Sequence, residues 1–231
     1  MTAFTTWRSL VDGAEISVIP DEVVDNFEDA DGDPAGVYEE GETISDYYTG
    51  STGDYARSTS NVEEGEQALE TTGGDTGSAI FSTPSDGLNR YPEEDEKIGF
   101  LLRQPTGDPD PVLLFNMTEP GSDFDSYGAM WVGTSEIRLN KYQSGSRSTE
   151  STESVSFSND TWYWGEIDPP TTEDNTIQFT MYELDNELQR GSEIGSVSTS
   201  DSDYIGDRGI GVQRVSTEGT GTIVDWIRIL E

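Results

Sequence analysis

The segment from Asp160 to Tyr182 constrains the fold more than any other part of this sequence. Apolar and aromatic residues alternate with polar ones from Trp162 to Asp168 and again from Thr176 to Tyr182, as in strands that bury one face. Between these runs, Pro169 and Pro170 lack backbone N–H groups and would interrupt a helix or a β-ladder. The sequence therefore predicts a β-hairpin.

The two faces of the first strand of this hairpin differ in character. Tyr163, Gly165 and Ile167 form the more apolar row, which we expect to enter a core. The opposite row contains Trp164 and Glu166 together with Trp162 and Asp168, and indoles beside carboxylates are unusual on a face that only meets solvent. We expect Trp164 to point outwards, where its replacement would cost little stability. This face is the first candidate for a binding surface.

The rest of the chain consists of short apolar runs separated by segments rich in turn formers, a pattern typical of an all-β sandwich. The segment QSGSRSTESTES, residues 143–154, is predicted to be one of these turn regions. Long helices are not expected. Besides the hairpin and a run beginning at Val23, strands are predicted at Thr43–Tyr48, Gln67–Thr71, Ala79–Ser82, Ile98–Gln104, Val112–Asn116, Gly128–Val132, Ile137–Tyr142, Ser154–Phe157, Gly191–Val197, Gly209–Val215 and Thr222–Leu230.

We predict one domain over residues 23–231, preceded by an appendage over residues 1–22. The appendage carries apolar residues at helix-like spacing, among them Phe4 and Trp7. Trp7 would either plug the bottom of the sandwich or belong to an attachment arm. The N-terminal residues do not have the pattern of an export signal, and no apolar run approaches the length of a membrane span.

The balance of charge limits the partners of this protein. The net charge is −35, from 47 acidic and 12 basic residues, of which two are lysines. Such a surface repels nucleic acids and anionic membranes, and abundant salt would screen its self-repulsion, so we expect a halophilic source. The alternative is an acidic protein of an ordinary cytosol. Because cysteine and histidine are absent, disulfides, thiol nucleophiles, imidazole bases and zinc sites of the usual kinds are excluded.

A group of carboxylates follows the run at Val23. Asp29, Asp31 and Asp33 stand at alternate positions around Gly32, a spacing that resembles the start of an EF-hand loop and that can present several oxygens to calcium. In a chain this acidic, a solvated turn is the plain alternative.

The order of the short motifs DNFED, GFLLR, DTWYWGEI, TIQFTMYELD, DYIGDRGIGV and VDWIRI resembles the concanavalin A-like lectin/glucanase superfamily, in particular its laminin-G-like jelly rolls. This resemblance implies two stacked antiparallel sheets with the first and last strands adjacent, and a glycan site on the concave sheet or the rim loops. It also implies calcium near the joined termini, where the predicted ligands are Glu28, Asp29, Asp31 and Asp225.

Some members of this superfamily are glycoside hydrolases with a Glu-hydrophobic-Asp-x-x-Glu motif. Glu166, Ile167 and Asp168 match its first half, but Thr171 occupies the position of the second glutamate. The two prolines also interrupt the strand that would align a nucleophile and an acid about 5 Å apart. We therefore expect no catalysis. Mutation of Glu166 together with Glu173 or Asp168 would test this expectation.

The sequence thus predicts a binding module that recognises sugars by aromatic stacking and by planar hydrogen-bonding groups. The candidate residues are Trp164, Glu166, Trp131, Tyr142 and Arg103, and core packing is the alternative for each aromatic.

Stand-alone acidic domains of this kind look like structural proteins of haloarchaeal tailed viruses. We therefore expect a homo-oligomeric spike, turret or fibre of a virion that contacts other virion proteins and a host surface glycan or glycoprotein. The alternatives are a purely structural subunit and a carbohydrate-binding protein of a haloarchaeal cell surface.

Overall fold

The computed structural model describes residues 22–27, 38, 42–63, 67–73, 77–88, 90–107, 109–119, 121–185, 189–216 and 220–230. In this part of the chain two antiparallel sheets stack into a sandwich, which confirms the predicted all-β fold. Residues 1–21 lie outside the described ranges, so the appendage remains a prediction.

The strands, in chain order, are β1 (Glu22–Asp25), β2 (Thr49–Gly50), β3 (Tyr55–Ser58), β4 (Ala68–Thr71), β5 (Ala79–Ser82), β6 (Lys97–Arg103), β7 (Pro111–Met117), β8 (Ser126–Val132), β9 (Glu136–Gln143), β10 (Ser146–Ser154), β11 (Trp162–Asp168), β12 (Thr176–Leu184), β13 (Arg190–Ser200), β14 (Gly209–Arg214) and β15 (Gly221–Leu230). The first sheet has the order β13-β12-β11-β6-β15-β4-β3, and β1 also pairs with β15. The second sheet has the order β10-β9-β8-β7-β14-β5-β2.

Two segments differ from the sequence-based expectation. The predicted turn region over residues 143–154 is largely the edge strand β10, which follows β9 through a tight turn at Ser144 and Gly145, both with positive φ. Both faces of β10 are mostly exposed, so it lacks the apolar alternation that identifies other strands. Residues 155–157, predicted to be strand, follow β10 as an irregular segment.

The strand predicted at residues 43–48 is instead a short helix, α1 (Ile44–Tyr47). A capping box explains it: the backbone N–H and the hydroxyl of Thr43 both donate to Asp46 Oδ2, at 2.6 Å and 3.0 Å. This helix is too short to cross a membrane, and the described part of the chain contains no other helical segment that could do so.

The main core lies between the two sheets. Aromatic rings meet there at short range: Phe100 lies 5.7 Å from Trp131, and Trp131 lies 5.0 Å from Phe179, measured between ring centroids. Edge-on and offset contacts of this kind add to the free energy that burial provides. The hairpin β11–β12 contributes Ile167, Phe179 and other inward side chains to this core.

The outer face of the first sheet also buries an apolar cluster, formed by Ala68, Leu101, Trp162, Trp164 and Trp226. Residues 60–63, which follow β3, lie against this face through three hydrogen bonds. Thr222 Oγ1 donates to the Ser60 carbonyl, Trp162 Nε1 donates to the Asn61 carbonyl, and the Glu63 N–H donates to Asp225 Oδ2. This segment explains why aromatic residues can be buried on a face that points away from the main core.

The first and last strands are adjacent, as the resemblance implied. Val23 pairs with Arg228 and Asp25 pairs with Ile227 in an antiparallel register. The side chain of Asp25 is fully buried behind this pairing and accepts hydrogen bonds from the hydroxyls of Tyr38 and Tyr48. The N-terminal strand is thus fixed to the end of the chain and to the segment around α1.

Candidate functional site

The hairpin β11–β12 positions the candidate site, and its two faces are separated as predicted. Tyr163 and Ile167 pack into the main core, whereas Trp164 belongs to the outer cluster of the first sheet. However, Trp164 is only 7% exposed, and its ring packs edge-to-face on Trp226 at 4.9 Å. The expectation of an open indole was therefore wrong, because neighbouring side chains of the outer cluster, Trp226 above all, pack around it.

Further along the same face, towards the β11–β12 turn, lies a depression of about 150 Å³, here called the Glu166 pocket. Its lining residues come from three adjacent strands and are Lys97, Glu166, Asp168, Gln178, Thr180 and Tyr182. Strand register brings them together, since Glu166 lies opposite Thr180 on one side and opposite Gly99 on the other. At Gly99 the Leu230 side chain occupies the space over the backbone, so a larger residue there would have to displace it.

Two carboxylates and one cation line the Glu166 pocket, and a second cation lies beside it. Lys97 Nζ lies 2.7 Å from Asp168 Oδ2 and 3.8 Å from Glu166 Oε1. Arg190, from the start of β13, donates to the other oxygen of Glu166 at 2.6 Å. The hydrogen bond to Asp168 raises the pKa of Lys97, and the hydrogen bond to Glu166 raises the pKa of Arg190. Both cations therefore stay charged, and the Glu166 side chain, 12% exposed, is held between them.

The remaining wall of the pocket comes from β12. Arg190 lies over the ring of Tyr182, with 5.1 Å between the guanidinium carbon and the ring centroid. Gln178 Nε2 donates to Ser196 Oγ at 2.8 Å, which fixes the orientation of the amide. The pocket thus combines oriented planar polar groups with one partly exposed aromatic ring.

Three of the predicted ligand-binding residues lie elsewhere. Trp131 is 0% exposed between the sheets, so its assignment to a binding surface was wrong. Tyr142 is 2% exposed on the outer face of the second sheet, where its hydroxyl donates to Gln213 Oε1 and its ring packs on Phe124. It is on the opposite side of the sandwich from Glu166.

Arg103 shares a sheet face with Glu166 but lies at the other end of β6. It is buried, and it donates to Asp160 Oδ1 at 2.7 Å and towards the Thr222 carbonyl at 3.4 Å. These contacts hold the β10–β11 turn against β15. Arg103 therefore has a structural role here, and of the five predicted residues Glu166 alone lines the pocket.

The predicted calcium ligands are mostly outside the described residues. Glu28, Asp29 and Asp31 all lie in the segment that the structure leaves undescribed. Asp225 is buried, and one of its carboxylate oxygens accepts the Glu63 N–H at 3.2 Å. Within the described ranges no three acidic side chains come close enough together to hold a metal ion.

Sequence reasoning missed several residues of the pocket. The alternation of polar and apolar residues in β12 did place Gln178, Thr180 and Tyr182 on the outward face, so this pattern could have identified them as neighbours of Glu166. Nothing in the pattern around Lys97 or Arg190 indicated that these side chains would reach Glu166, because they come from β6 and β13 and meet it only in the folded sheet.

The fold is similar to that of solved carbohydrate-binding proteins. The carbohydrate-binding module CBM66 from Bacillus subtilis matches at 12% identity with a TM-score of 0.56, over 78% of this chain and 94% of that module. The exoplasmic/lumenal domain of VIP36, solved in a form bound to Ca²⁺ and Man3GlcNAc, matches at 8% identity with a TM-score of 0.53, over 80% of this chain and 85% of that one. At these identities the similarity establishes a shared jelly-roll fold, in agreement with the predicted concanavalin A-like type.

Comparison with protein-family models gave no match, and neither did comparison of the sequence with curated proteins.

Proposed function

We propose that this protein is a non-catalytic carbohydrate-binding module that binds a sugar in the Glu166 pocket. The observation that carries this proposal is the pocket itself, which arranges two carboxylates, an ammonium and an amide beside the ring of Tyr182, with the Arg190 guanidinium next to it on Glu166. Sugars present hydroxyl groups that both donate and accept hydrogen bonds, and C–H faces that pack on aromatic rings.

The size of the pocket favours a small ligand unit. Pockets for drug-sized molecules commonly have volumes of roughly 300–1,000 Å³. At about 150 Å³, the Glu166 pocket suits one sugar ring, with the rest of a glycan passing over the sheet surface. The similarity in fold to CBM66 and to the glycan-bound VIP36 domain supports a carbohydrate as the class of ligand.

The contacts of the carboxylates favour binding over hydrolysis. Glu166 and Asp168 share Lys97, and Glu166 also pairs with Arg190. A general acid must reach the glycosidic oxygen with its carboxyl group, whereas both oxygens of Glu166 already face a cation of the protein. Glu173, the other carboxylate considered for catalysis, is exposed in the turn after Pro170.

We further propose that the glycan belongs to a host or cell surface and that the protein works in strong salt. The net charge of −35 supports the second part, and the resemblance of such acidic jelly rolls to virion proteins supports a spike, turret or fibre. Neighbouring genes would test this: portal, capsid or tail genes favour a virion protein, and genes of exported proteins favour the cell surface. Light scattering at high salt would test assembly, since a strict monomer contradicts a homo-oligomeric spike.

The direct test of binding is a glycan array at molar potassium chloride with the wild type, Glu166→Gln and Glu173→Gln. We expect the wild type and Glu173→Gln to bind the same glycans, because Glu173 lies in the turn outside the pocket. Glu166→Gln should lose at least ~10-fold in affinity, since charged hydrogen bonds contribute about 1.5–3 kcal/mol. Absence of any glycan binding by the wild type would refute the proposal, and equal binding by Glu166→Gln would place the site elsewhere.

A further inference from the structure

The balance of charges around the Glu166 pocket indicates which class of sugar it accepts. Lys97 and Arg190 bring two positive charges, and Glu166 and Asp168 bring two negative charges, so the set is neutral. Each cation already contacts a carboxylate of the protein at 2.6–2.7 Å. Neither cation is therefore offered to a ligand as an unmatched charge.

We infer that the Glu166 pocket selects uncharged sugars over acidic ones, and that the two cation–carboxylate pairs set this selectivity. The inference rests on the proposed carbohydrate-binding function. An acidic sugar would place a third carboxylate beside Glu166 and Asp168. It would then have to displace one of them from its cation, leaving that protein carboxylate without its partner.

Distance and salt determine which charges matter. In molar salt the Debye length falls to about 3 Å, so the net charge of the protein acts only weakly on an approaching ligand. Charges in contact are screened much less, and like charges in contact still repel one another. The groups that touch the ligand therefore decide the selectivity, and the overall charge of −35 does not.

Uncharged sugars fit the same groups without displacing them. A carboxylate that accepts a hydrogen bond from Arg190 through one oxygen keeps lone pairs for a sugar hydroxyl. Lys97 has three N–H donors, and one of them is used by the contact with Asp168. Adjacent hydroxyl groups of a sugar ring can therefore donate to the carboxylates of β11 and accept from Lys97 of β6.

The test uses matched pairs of ligands that differ only at carbon 6: the methyl glycosides of glucose, galactose and mannose, and their uronic acids. Affinities are measured by titration calorimetry in molar potassium chloride. For the wild type, we expect a neutral member to bind at least about tenfold more tightly than its uronic acid, a ratio that corresponds to ~1.4 kcal/mol. The double variant Glu166→Gln/Asp168→Asn leaves Lys97 and Arg190 unmatched, and its preference should reverse towards the uronic acid.

A matched control carries the same change in net charge at exposed positions outside the pocket. Glu119→Gln/Glu173→Gln removes two solvent-exposed carboxylates, and it should keep the selectivity of the wild type. Tighter binding of a uronic acid by the wild type overturns the inference and leaves the proposed function intact. Absence of binding by all six sugars overturns the proposed function, and the inference with it. A double variant that does not shift towards the uronic acid refutes the role of the ion pairs.

Discussion

Asp25 provides a sharp test of the packing at the joined ends of the chain. Its carboxylate is fully buried and accepts three hydrogen bonds: from the Phe27 N–H at 2.8 Å, from the Tyr48 hydroxyl at 2.7 Å and from the Tyr38 hydroxyl at 3.1 Å. Burial disfavours the ionised form more than these donors favour it. The pKa of Asp25 is therefore raised from 3.8 to about 6.

The sign of the effect on stability follows from linkage. Below pH 3.8 the group is protonated in both the folded and the unfolded chain. Between pH 3.8 and about 6 the unfolded chain releases the proton while the folded chain retains it. Stability that is present at low pH is therefore lost as the pH rises through 6. One pKa unit corresponds to 1.36 kcal/mol, so the loss is about 3 kcal/mol.

Asp25→Asn removes this titration and keeps an acceptor for the Phe27 N–H. Near pH 4 the variant should be about as stable as the wild type, and at pH 8 it should be more stable by up to ~3 kcal/mol. The measurement is urea denaturation from pH 4 to 8 at constant molar potassium chloride, with the free energies of unfolding compared at each pH. The other carboxylates titrate in both proteins and cancel in the difference.

Glu119→Gln, at an exposed position, is the matched control and should differ from the wild type by an amount that hardly changes with pH. Tyr48→Phe removes a donor to the ionised form, so it should move the loss of stability to higher pH. A difference between Asp25→Asn and the wild type that stays constant from pH 4 to 8 would refute this account of the buried carboxylate.

Three further outcomes are expected. Dialysis to millimolar salt should unfold the protein, because the unscreened excess of 47 acidic over 12 basic residues then repels itself across the whole domain; a cooperative thermal transition at millimolar salt, monitored by circular dichroism, would contradict the halophilic interpretation. Trp164→Ala should cost ~3–5 kcal/mol in urea denaturation, because the indole packs on Trp226; a loss under 1 kcal/mol would mean that the outer cluster is loosely packed. Calcium, if bound near Asp225, should stabilise the wild type by about 2.7 kcal/mol at a hundredfold excess over Kd, and Asp225→Asn should lose this gain; melts at constant potassium chloride that are equal in EDTA and in millimolar calcium would refute a calcium site.

Most of the fold could be predicted from the sequence because the strands are short apolar runs separated by turn formers, whether both faces are buried, as in β7 and β14, or the faces alternate, as in β12. The alternation in β11 placed that strand at Trp162–Asp168, as the structure has it, and assigned Tyr163 and Trp164 to opposite faces. The same reasoning failed for β10, whose two faces are mostly exposed at the sheet edge. It also failed at α1, where a local capping box outweighed the strand-like composition.

The candidate site depended more on tertiary structure. Trp131 and Trp164 lie in similar apolar runs, yet one ring is enclosed between the sheets and the other in the cluster on the outer face. Sequence periodicity specifies which side of a strand a residue occupies, but not what covers that side. It singled out Glu166, whereas the charges that surround it come from Lys97 and Arg190, which are distant in sequence. Only the pairing of β6, β11, β12 and β13 brings these groups within hydrogen-bonding distance, because strand order and register are set by the burial of the whole core.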